Sequence, residues 1–371
     1  MVGHVPPPRP TEGISAVPAP PPTAPPRSPT RPRRRRAPVL PLLAAGTLLT
    51  FVVSLGVGPV GMAPAETLAV LRDAALGRAT TTANALVVTE VRLPRAILAL
   101  LAGAGLAIAG ASMQAYFRNP LAEPGVTGVA GGAAVGAVVV LVSGASALGP
   151  WTLPVAAFAG AMAVLLLVQA VAALTQNRDV TTVLLLGIAL NAFCGALTGA
   201  LVANAEDSQT VRGAMFWLQG DLTAARWRDV ALVAAPVAGG ALLVLALSRE
   251  LNALLLGDEV ARSMGVDVSR VRTAILVLTS VLVGGVIAVT GVIGFVGLVA
   301  PHVVRMLLGG DHRRLLPGSA LLGALFLLAA DTVARLAPAG TSWQTGVVTA
   351  LVGSPLFFVL VLRTRHGRRT P

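Results

Sequence analysis

Apolar residues run along this chain in long uncharged blocks, and polar residues are concentrated between the blocks. A block of about 20 apolar residues is long enough to cross the hydrocarbon core of a bilayer as a helix. Ten such blocks can be drawn, so the pattern predicts an all-α, polytopic membrane bundle of ten transmembrane helices over residues 38–365. The blocks are 37–65, 96–117, two within 124–177, 180–205, 230–248, two within 273–304, 315–330 and 337–362.

The first 37 residues differ from the rest of the chain. They are rich in proline, end in the run Arg33 to Arg36, and show no periodic apolar face. This composition predicts a disordered, partly polyproline arm over 1–37. The arginine run can also be interpreted as a nucleic-acid contact, but directly before a span we interpret it as holding the N-terminus in the cytoplasm. Residues 366–371 are predicted to be a short cytoplasmic tail.

Charge gives the predicted bundle an orientation. Only 12% of the residues are charged, against about 25% in a typical soluble domain. With the N-terminus inside, the ten-span topology puts twenty of the 28 basic residues in cytoplasmic segments and eight outside. Cytoplasmic loops of membrane proteins carry such an excess. The sequence therefore predicts a multi-pass protein of the cytoplasmic membrane with both termini inside.

Several kinds of chemistry are excluded or disfavoured by composition. All 28 basic residues are arginine, and a phosphate-binding P-loop needs its lysine. Cys194 is the single cysteine, so an internal disulfide is impossible, and His302 stands alone, so we predict no metal site. No predicted span interior holds an acidic residue apart from Asp331 at one end, which disfavours an ion-coupled carrier. We predict no catalytic residue, and an energy source in a partner subunit.

Small residues inside the predicted spans indicate close helix packing. Glycine lets helix backbones approach each other in lipid. A short internal repeat is also visible, because the segment after Arg95 resembles the segment after Arg272, and the topology runs the two spans in opposite directions, as in inverted-repeat transporters. The glycines are Gly103, Gly105, Gly110, Gly128, Gly131, Gly132, Gly136, Gly284 and Gly285.

The largest predicted cytoplasmic loop, 256–272, has features of a contact surface. Asp258 and Glu259 stand where a helix can begin, and carboxylates there complement the helix dipole. Gly265 can end this short helix and allow a sharp turn into the next. The alternative is a solvated amphipathic connector without a partner.

Six motifs in order make the chain resemble the permeases of iron–siderophore and vitamin B12 ABC importers, the type II importers. The resemblance covers about residues 40–365 and leaves out the arm. It rests on Arg92-Leu-Pro-Arg95, on Gln114 with the run Arg118 to Gly125 that includes Asn119 and Pro120, on the coupling loop, on the run Gly294 to Arg305 that includes Pro301 and His302 and is followed by Gly310 to Arg313, on the run Ala330 to Arg335, and on the run Gly346 to Pro355.

The resemblance implies an assembly as well as a fold. It implies a second permease subunit, identical or homologous, two cytoplasmic ATPases that bind ATP and magnesium, an extracytoplasmic binding protein, and no cofactor in this chain. It implies that Arg92, Arg95 and Arg335 meet carboxylates of the binding protein, with lipid headgroups as the alternative partner. The implied ATPase-coupling residues are Gly257, Asp258, Glu259, Ala261, Arg262 and Gly265.

The resemblance leaves the transported ligand open. Siderophore systems are the commonest members, so a ferric siderophore is the first expectation, with cobalamin and haem as alternatives. Asn191 is the only mid-span amide of the fifth predicted span, which resembles the pathway-lining helix, and a helix–helix hydrogen bond is the equal alternative. Outside the family, the residues leave open a secondary carrier independent of ATP and a membrane scaffold without transport.

Overall fold

The computed structural model describes residues 3–4, 38–58, 61–78, 82–174, 180–338 and 343–366. Over these residues the chain is helical without a strand, which confirms the predicted all-α class. The chain divides into Met1–Ala37 and Pro38–Pro371. The prediction of a disordered arm lies outside the described residues except for Gly3 and His4, and the predicted tail does so except for His366.

Fifteen α-helices are assigned in the described part of the chain. They are α1 Val39–Gly56, α2 Pro64–Ala75, α3 Ala83–Leu86, α4 Leu93–Tyr116, α5 Val129–Val142, α6 Thr152–Leu174, α7 Val180–Ala203, α8 Ser208–Leu218, α9 Trp227–Ala246, α10 Ser248–Leu254, α11 Asp258–Ser263, α12 Val268–Thr290, α13 Val296–Leu308, α14 His312–Ala334 and α15 Thr345–His366. A π-helical stretch, Val87–Arg92, joins α3 to α4, and 3₁₀ turns occupy Pro124–Thr127 and Ala145–Leu148.

Each of the ten predicted blocks coincides with one helix of the bundle. Seven helical segments of the described chain are long and apolar enough to cross a membrane, and α5, α13 and Thr345–Leu360 are apolar but shorter. The number of crossings and the side of each terminus therefore stay predictions. The first block ends earlier than predicted, at Gly56, because Pro64 begins the separate helix α2, where its missing N–H costs nothing.

The predicted break between the seventh and eighth blocks is confirmed. Helix α12 ends at Thr290, and the next helix begins only at Val296. Gly291 has φ of +69°, a conformation that glycine adopts without the steric cost of a Cβ atom. Phe295, also at φ +69°, is the N-cap of α13. The break therefore separates two helices and is not a bend in one long helix.

The structure repeats one arrangement of helices. A long helix is followed by an irregular segment and a short apolar helix in α4 and α5, and again in α12 and α13. The guanidinium carbon of Arg272, near the start of α12, lies 5.1 Å from the ring centre of Tyr116, the last residue of α4. The two long helices are therefore antiparallel, as the weak sequence repeat predicts.

Glycine brings helix backbones into direct contact at two places along α4. A methyl group on Gly103 would collide with the carbonyl group of Gly323 in α14, and one on Gly110 would collide with that of Gly297 in α13. These contacts confirm the close packing that the glycine pattern predicts. They also fix α4 between the two helices that follow the break.

The replacement Gly110→Ala tests this packing. Because the added methyl group meets backbone rather than a mobile side chain, we expect a loss of about 1–3 kcal/mol of stability, seen as a lower thermal unfolding midpoint of the purified permease in detergent. Gly239→Ala is the matched control, since nothing lies within 4 Å of a methyl group there. Equal midpoints for the two variants would contradict the packing account.

Candidate functional site

The ends of four helices meet around one buried carboxylate, Asp331 of α14. Its side chain has no exposed surface, and its oxygens lie 2.8 Å from Arg95 Nη2 and 3.2 Å from Arg335 Nε. The hydroxyl group of Thr345 donates to the same carboxylate over 3.1 Å. The first turn of α4, the end of α14 and the start of α15 are therefore joined by one hydrogen-bonded ion cluster.

Backbone carbonyls of α1 complete this cluster. Arg335 Nη1 donates to the carbonyl oxygens of Ser54 and Val57, over 2.9 and 3.1 Å. Arg92 Nη1 donates to the carbonyl oxygen of Leu55 over 2.8 Å. The carbonyls at the C-terminus of a helix carry partial negative charge, so arginines stabilise this end of α1.

The three arginines predicted to dock a binding protein have partners within the chain. Arg92 and Arg95 are only 4% and 7% exposed, and their charges are used within the chain. A carboxylate of another protein can reach Arg95 or Arg335 only by competing with Asp331. Sequence reasoning missed this partner, because Asp331 follows Arg95 by 236 positions and only the fold brings them together.

A second polar cluster lies where the 3₁₀ turn Pro124–Thr127 meets the bundle. Glu123 Oε1 accepts a hydrogen bond of 3.1 Å from the backbone N–H of Phe295, the residue before α13. Asn191 Nδ2 donates to the carbonyl oxygen of Gly125 over 2.7 Å. The amide of Asn191 therefore binds backbone inside the chain, which is the alternative that the sequence left open, and its role in the pathway stays a prediction.

Residues of the two longest motifs meet between α4 and α13. Gln114 accepts a hydrogen bond of 3.0 Å from Arg305 Nη2 and donates to the carbonyl oxygen of Leu298 over 3.3 Å. The His302 ring lies edge-on to Phe357, with centroids 6.4 Å apart. Pro301 is buried within α13. Asn119 and Pro120 lie in the loop after α4, where the side chain of Asn119 accepts a hydrogen bond from the N–H of Leu121.

The predicted coupling loop forms a short helix at the opposite end of the bundle. Helix α11 begins after Gly257, where φ is +105°, and the turn that follows it contains Gly265 at φ +83°, as predicted. Helix α4, which carries Arg95 in its first turn, is 24 residues long, about 36 Å at the rise of an α-helix, and leads to this end. The two candidate contact surfaces thus lie at opposite ends of the same bundle.

Part of α11 faces outward and part faces the bundle. Glu259, Arg262 and Gly265 are exposed, whereas Ala261 is fully buried. Asp258 accepts a hydrogen bond of 2.8 Å from Arg272 and so points inward. The exposed apolar side chains nearby form a patch suited to a protein partner: Leu256, Val260 and Met264.

Asn252 connects α10, directly before the coupling loop, to the start of α14. Its Nδ2 donates to Asp311 over 2.8 Å, and its Oδ1 accepts from the backbone N–H of His312 over 2.9 Å. The bond from Asn252 is the main cause that holds the pKa of Asp311 below its usual range. Asn252 thus links α10 to the start of α14, the helix that carries Asp331 at its other end.

No group of three or more metal-ligating side chains occurs within the residues that the structure describes. The single cysteine, Cys194, is buried in α7. The polar chemistry of this part of the chain is thus that of ion pairs and hydrogen bonds between helices.

Comparison with known proteins finds close relatives. The sequence profile of the FecCD transport family matches residues 46–363. The cobalamin import system permease protein BtuC of Halobacterium salinarum is 43% identical over 290 residues, 76% of this chain and 74% of that protein. The hemin transport system permease protein HmuU of Yersinia pestis is 39% identical over 341 residues, 89% of this chain and 98% of that protein.

A solved structure has a similar fold. It is an inward-facing transporter assigned to the metal-chelate type of ABC transporter, with a TM-score of 0.78 and 31% sequence identity. The match covers 88% of this chain and 99% of that one. The similarity therefore extends over nearly the whole helical bundle.

Removal of Arg95 tests the ion cluster around Asp331. Arg95→Ala leaves a buried carboxylate short of a partner, so we expect a loss of about 3–5 kcal/mol of stability, measured as thermal unfolding in detergent. The control is Arg72→Ala, whose ion pair with Asp73 is exposed and should contribute about 0–1 kcal/mol. A cost for Arg95→Ala no larger than for Arg72→Ala would contradict the cluster's role.

Proposed function

Because the chain belongs to the FecCD transport family, we propose that it is the membrane-spanning permease subunit of an ATP-driven importer for a large metal chelate. The observation that carries the proposal is the exposed helix α11 with its apolar patch, at the end of the bundle opposite the arginine cluster. A permease of this kind uses ATP hydrolysed by a separate subunit, and this chain has no lysine for a phosphate-binding loop of its own.

The coupling step is proposed to act through α11. Glu259, Arg262 and Gly265 form the polar part of the contact with the ATPase, and Val260 and Met264 the apolar part. Ala261 and Asp258 fix the helix to the bundle from behind. Because Asp258 accepts a hydrogen bond from Arg272, movement of α11 is proposed to be passed to α12.

The transport pathway is proposed to lie between two permease subunits. Helix α7 exposes large apolar side chains along much of its length, and only 17% of the residues in its most apolar 18-residue stretch are buried within the chain. A second permease, or lipid, covers this face in the membrane. The exposed side chains include Leu185, Ile188 and Phe193.

At the opposite end, docking of a binding protein is proposed to occur over the cluster of Arg92, Arg95 and Arg335. Arg95 and Arg335 are already paired with Asp331, so docking at these two arginines means exchange of carboxylates, whereas Arg92 donates to the carbonyl oxygen of Leu55. An acidic residue of the binding protein would share or replace Asp331. Such an exchange would loosen the junction of α4, α14 and α15 when ligand arrives.

Cobalamin and haem are the ligands that the relatives favour. BtuC is named for cobalamin and HmuU for hemin, and both ligands are bulky metal chelates. The ferric siderophore expected from the sequence belongs to the same chemical class, and no relative reported above is named for it. We therefore rank cobalamin or haem before the siderophore.

Uptake by cells tests both the ligand and the energy source. A strain without this gene should lose uptake of one radiolabelled ligand among cobalamin, haem and a ferric siderophore, and the full-length gene should restore it. Uptake should stop with orthovanadate, an inhibitor of ABC ATPases, and should persist with a protonophore while ATP is maintained.

Two outcomes would contradict the proposal. Uptake that survives orthovanadate but stops with the protonophore would identify a secondary carrier. Failure of the full-length gene to raise uptake of any of the three ligands in a strain that lacks other importers for them would indicate a membrane protein without transport. Loss of siderophore uptake alone would leave the importer intact and reverse the ranking of ligands.

A further inference from the structure

A cavity of about 390 Å³ lies behind the coupling helix, on the side that faces the bundle. It is formed where α4 and α6 end and where α7, α11 and α12 begin. The roles proposed above for Asp258, Arg262 and Arg272 leave the cavity itself without a ligand. Its polar lining includes Tyr116, Gln169, Asp258, Arg262, Arg272 and Thr273.

The lining contains more hydrogen-bond donors than the described residues satisfy. Arg272 is 6% exposed, and its Nη2 donates to Asp258, but its Nε and Nη1 are buried without a partner. The Nε2 of Gln169 is also buried without a partner. A buried unpaired donor costs free energy, and such groups in native proteins usually have a ligand, ion or water that explains them.

The charges around the cavity are mainly positive. Arg262 and Arg272 both line it, and Asp258 is the carboxylate among the described lining residues. Arg118 adds a third positive group, with its Nη2 3.7 Å from Asp258. Among the described residues, Asp258 pairs with Arg272 and lies 3.7 Å from Arg118, and Arg262 is a third guanidinium group at the cavity. An anion is the ligand that balances both the charge and the unpaired N–H groups.

We propose that this cavity binds a phosphate group, supplied by the headgroup of an anionic phospholipid or by free phosphate. Guanidinium groups bind phosphate oxygens through paired, charge-assisted hydrogen bonds. Basic pockets between helices near the cytoplasmic surface are typical sites for lipid headgroups. A bound phosphate would join Gln169 of α6 to Arg272 of α12 behind α11, and would so stiffen the support of the coupling helix.

Thermal unfolding of the purified full-length permease in neutral detergent tests the site. The probes are phosphatidylglycerol, phosphatidylcholine at the same concentration, and inorganic phosphate. We expect phosphatidylglycerol, inorganic phosphate or both to raise the unfolding midpoint, and phosphatidylcholine not to do so. The variant Gln169→Met keeps the side-chain length and removes the amide donor, so we expect about tenfold weaker apparent affinity for the phosphate probe.

The ligand-free protein separates binding from simple packing. Because Gln169 Nε2 has no partner without ligand, Gln169→Met should leave the ligand-free midpoint unchanged or higher while it lowers the response to phosphate. Arg270→Gln is the matched control for charge. Arg270 lies near the start of α12, the helix that carries Arg272, and its side chain is 89% exposed. It pairs with Asp267 outside the cavity, so the variant should respond like the wild type.

The probes also identify the source of the phosphate. Stabilisation by inorganic phosphate alone supports a free anion, and stabilisation by phosphatidylglycerol alone supports a lipid headgroup. The proposal is overturned if neither probe raises the midpoint, if Gln169→Met responds like the wild type, or if Arg270→Gln loses as much as Gln169→Met. If neither probe acts and Gln169→Met also weakens binding of the ATPase, the proposal is overturned in favour of an acidic side chain of the ATPase as the anion.

Discussion

In the hydrocarbon core of a membrane, every backbone N–H and C=O must find its hydrogen-bond partner within protein. Helices satisfy this requirement by themselves, but this bundle is interrupted before α13 and at the 3₁₀ turn before α5. Side chains fill both gaps, since Glu123 accepts from the N–H of Phe295 and Asn191 donates to the carbonyl of Gly125. The bond from Phe295 to Glu123 joins the two repeats, and the bond from Asn191 joins α7 to the turn before α5.

The two ends of the bundle differ in what their charged side chains contact. At one end, Asp331 pairs with Arg95 and Arg335, so a binding protein that docks there as proposed must compete with a contact already made. At the other end, α11 keeps its charged and apolar side chains outward and is held from behind by Asp258. Helices α4 and α14 span the distance between the ends. They give a physical route by which a partner at one end can influence the other.

Much of this organisation can be predicted from the sequence, because it is local. Uncharged blocks locate the helices, and Gly265 locates the end of α11. The missing lysines exclude a P-loop without any structure. What could not be predicted depends on residues far apart in the chain. Nothing near Arg95 reveals that Asp331 will neutralise it, and the motif around Glu123 does not indicate that its carboxylate will bond to Phe295 N–H. The helices α2 and α8 were also missed, since they are too polar to be counted as spans.

The central claim is that α11 faces the cytoplasm and meets an ATPase there. The measurement is site-directed labelling in a Cys194→Ser background, with Met264→Cys on α11 and Leu336→Cys beyond α14 at the other end; both native side chains are more than 60% exposed. The account predicts that a membrane-impermeant maleimide labels position 336 in intact cells and position 264 only after permeabilisation. It also predicts that position 264 cross-links to the ATPase subunit. Labelling of position 264 from outside intact cells, or no cross-link to the ATPase in the assembled importer, would contradict it.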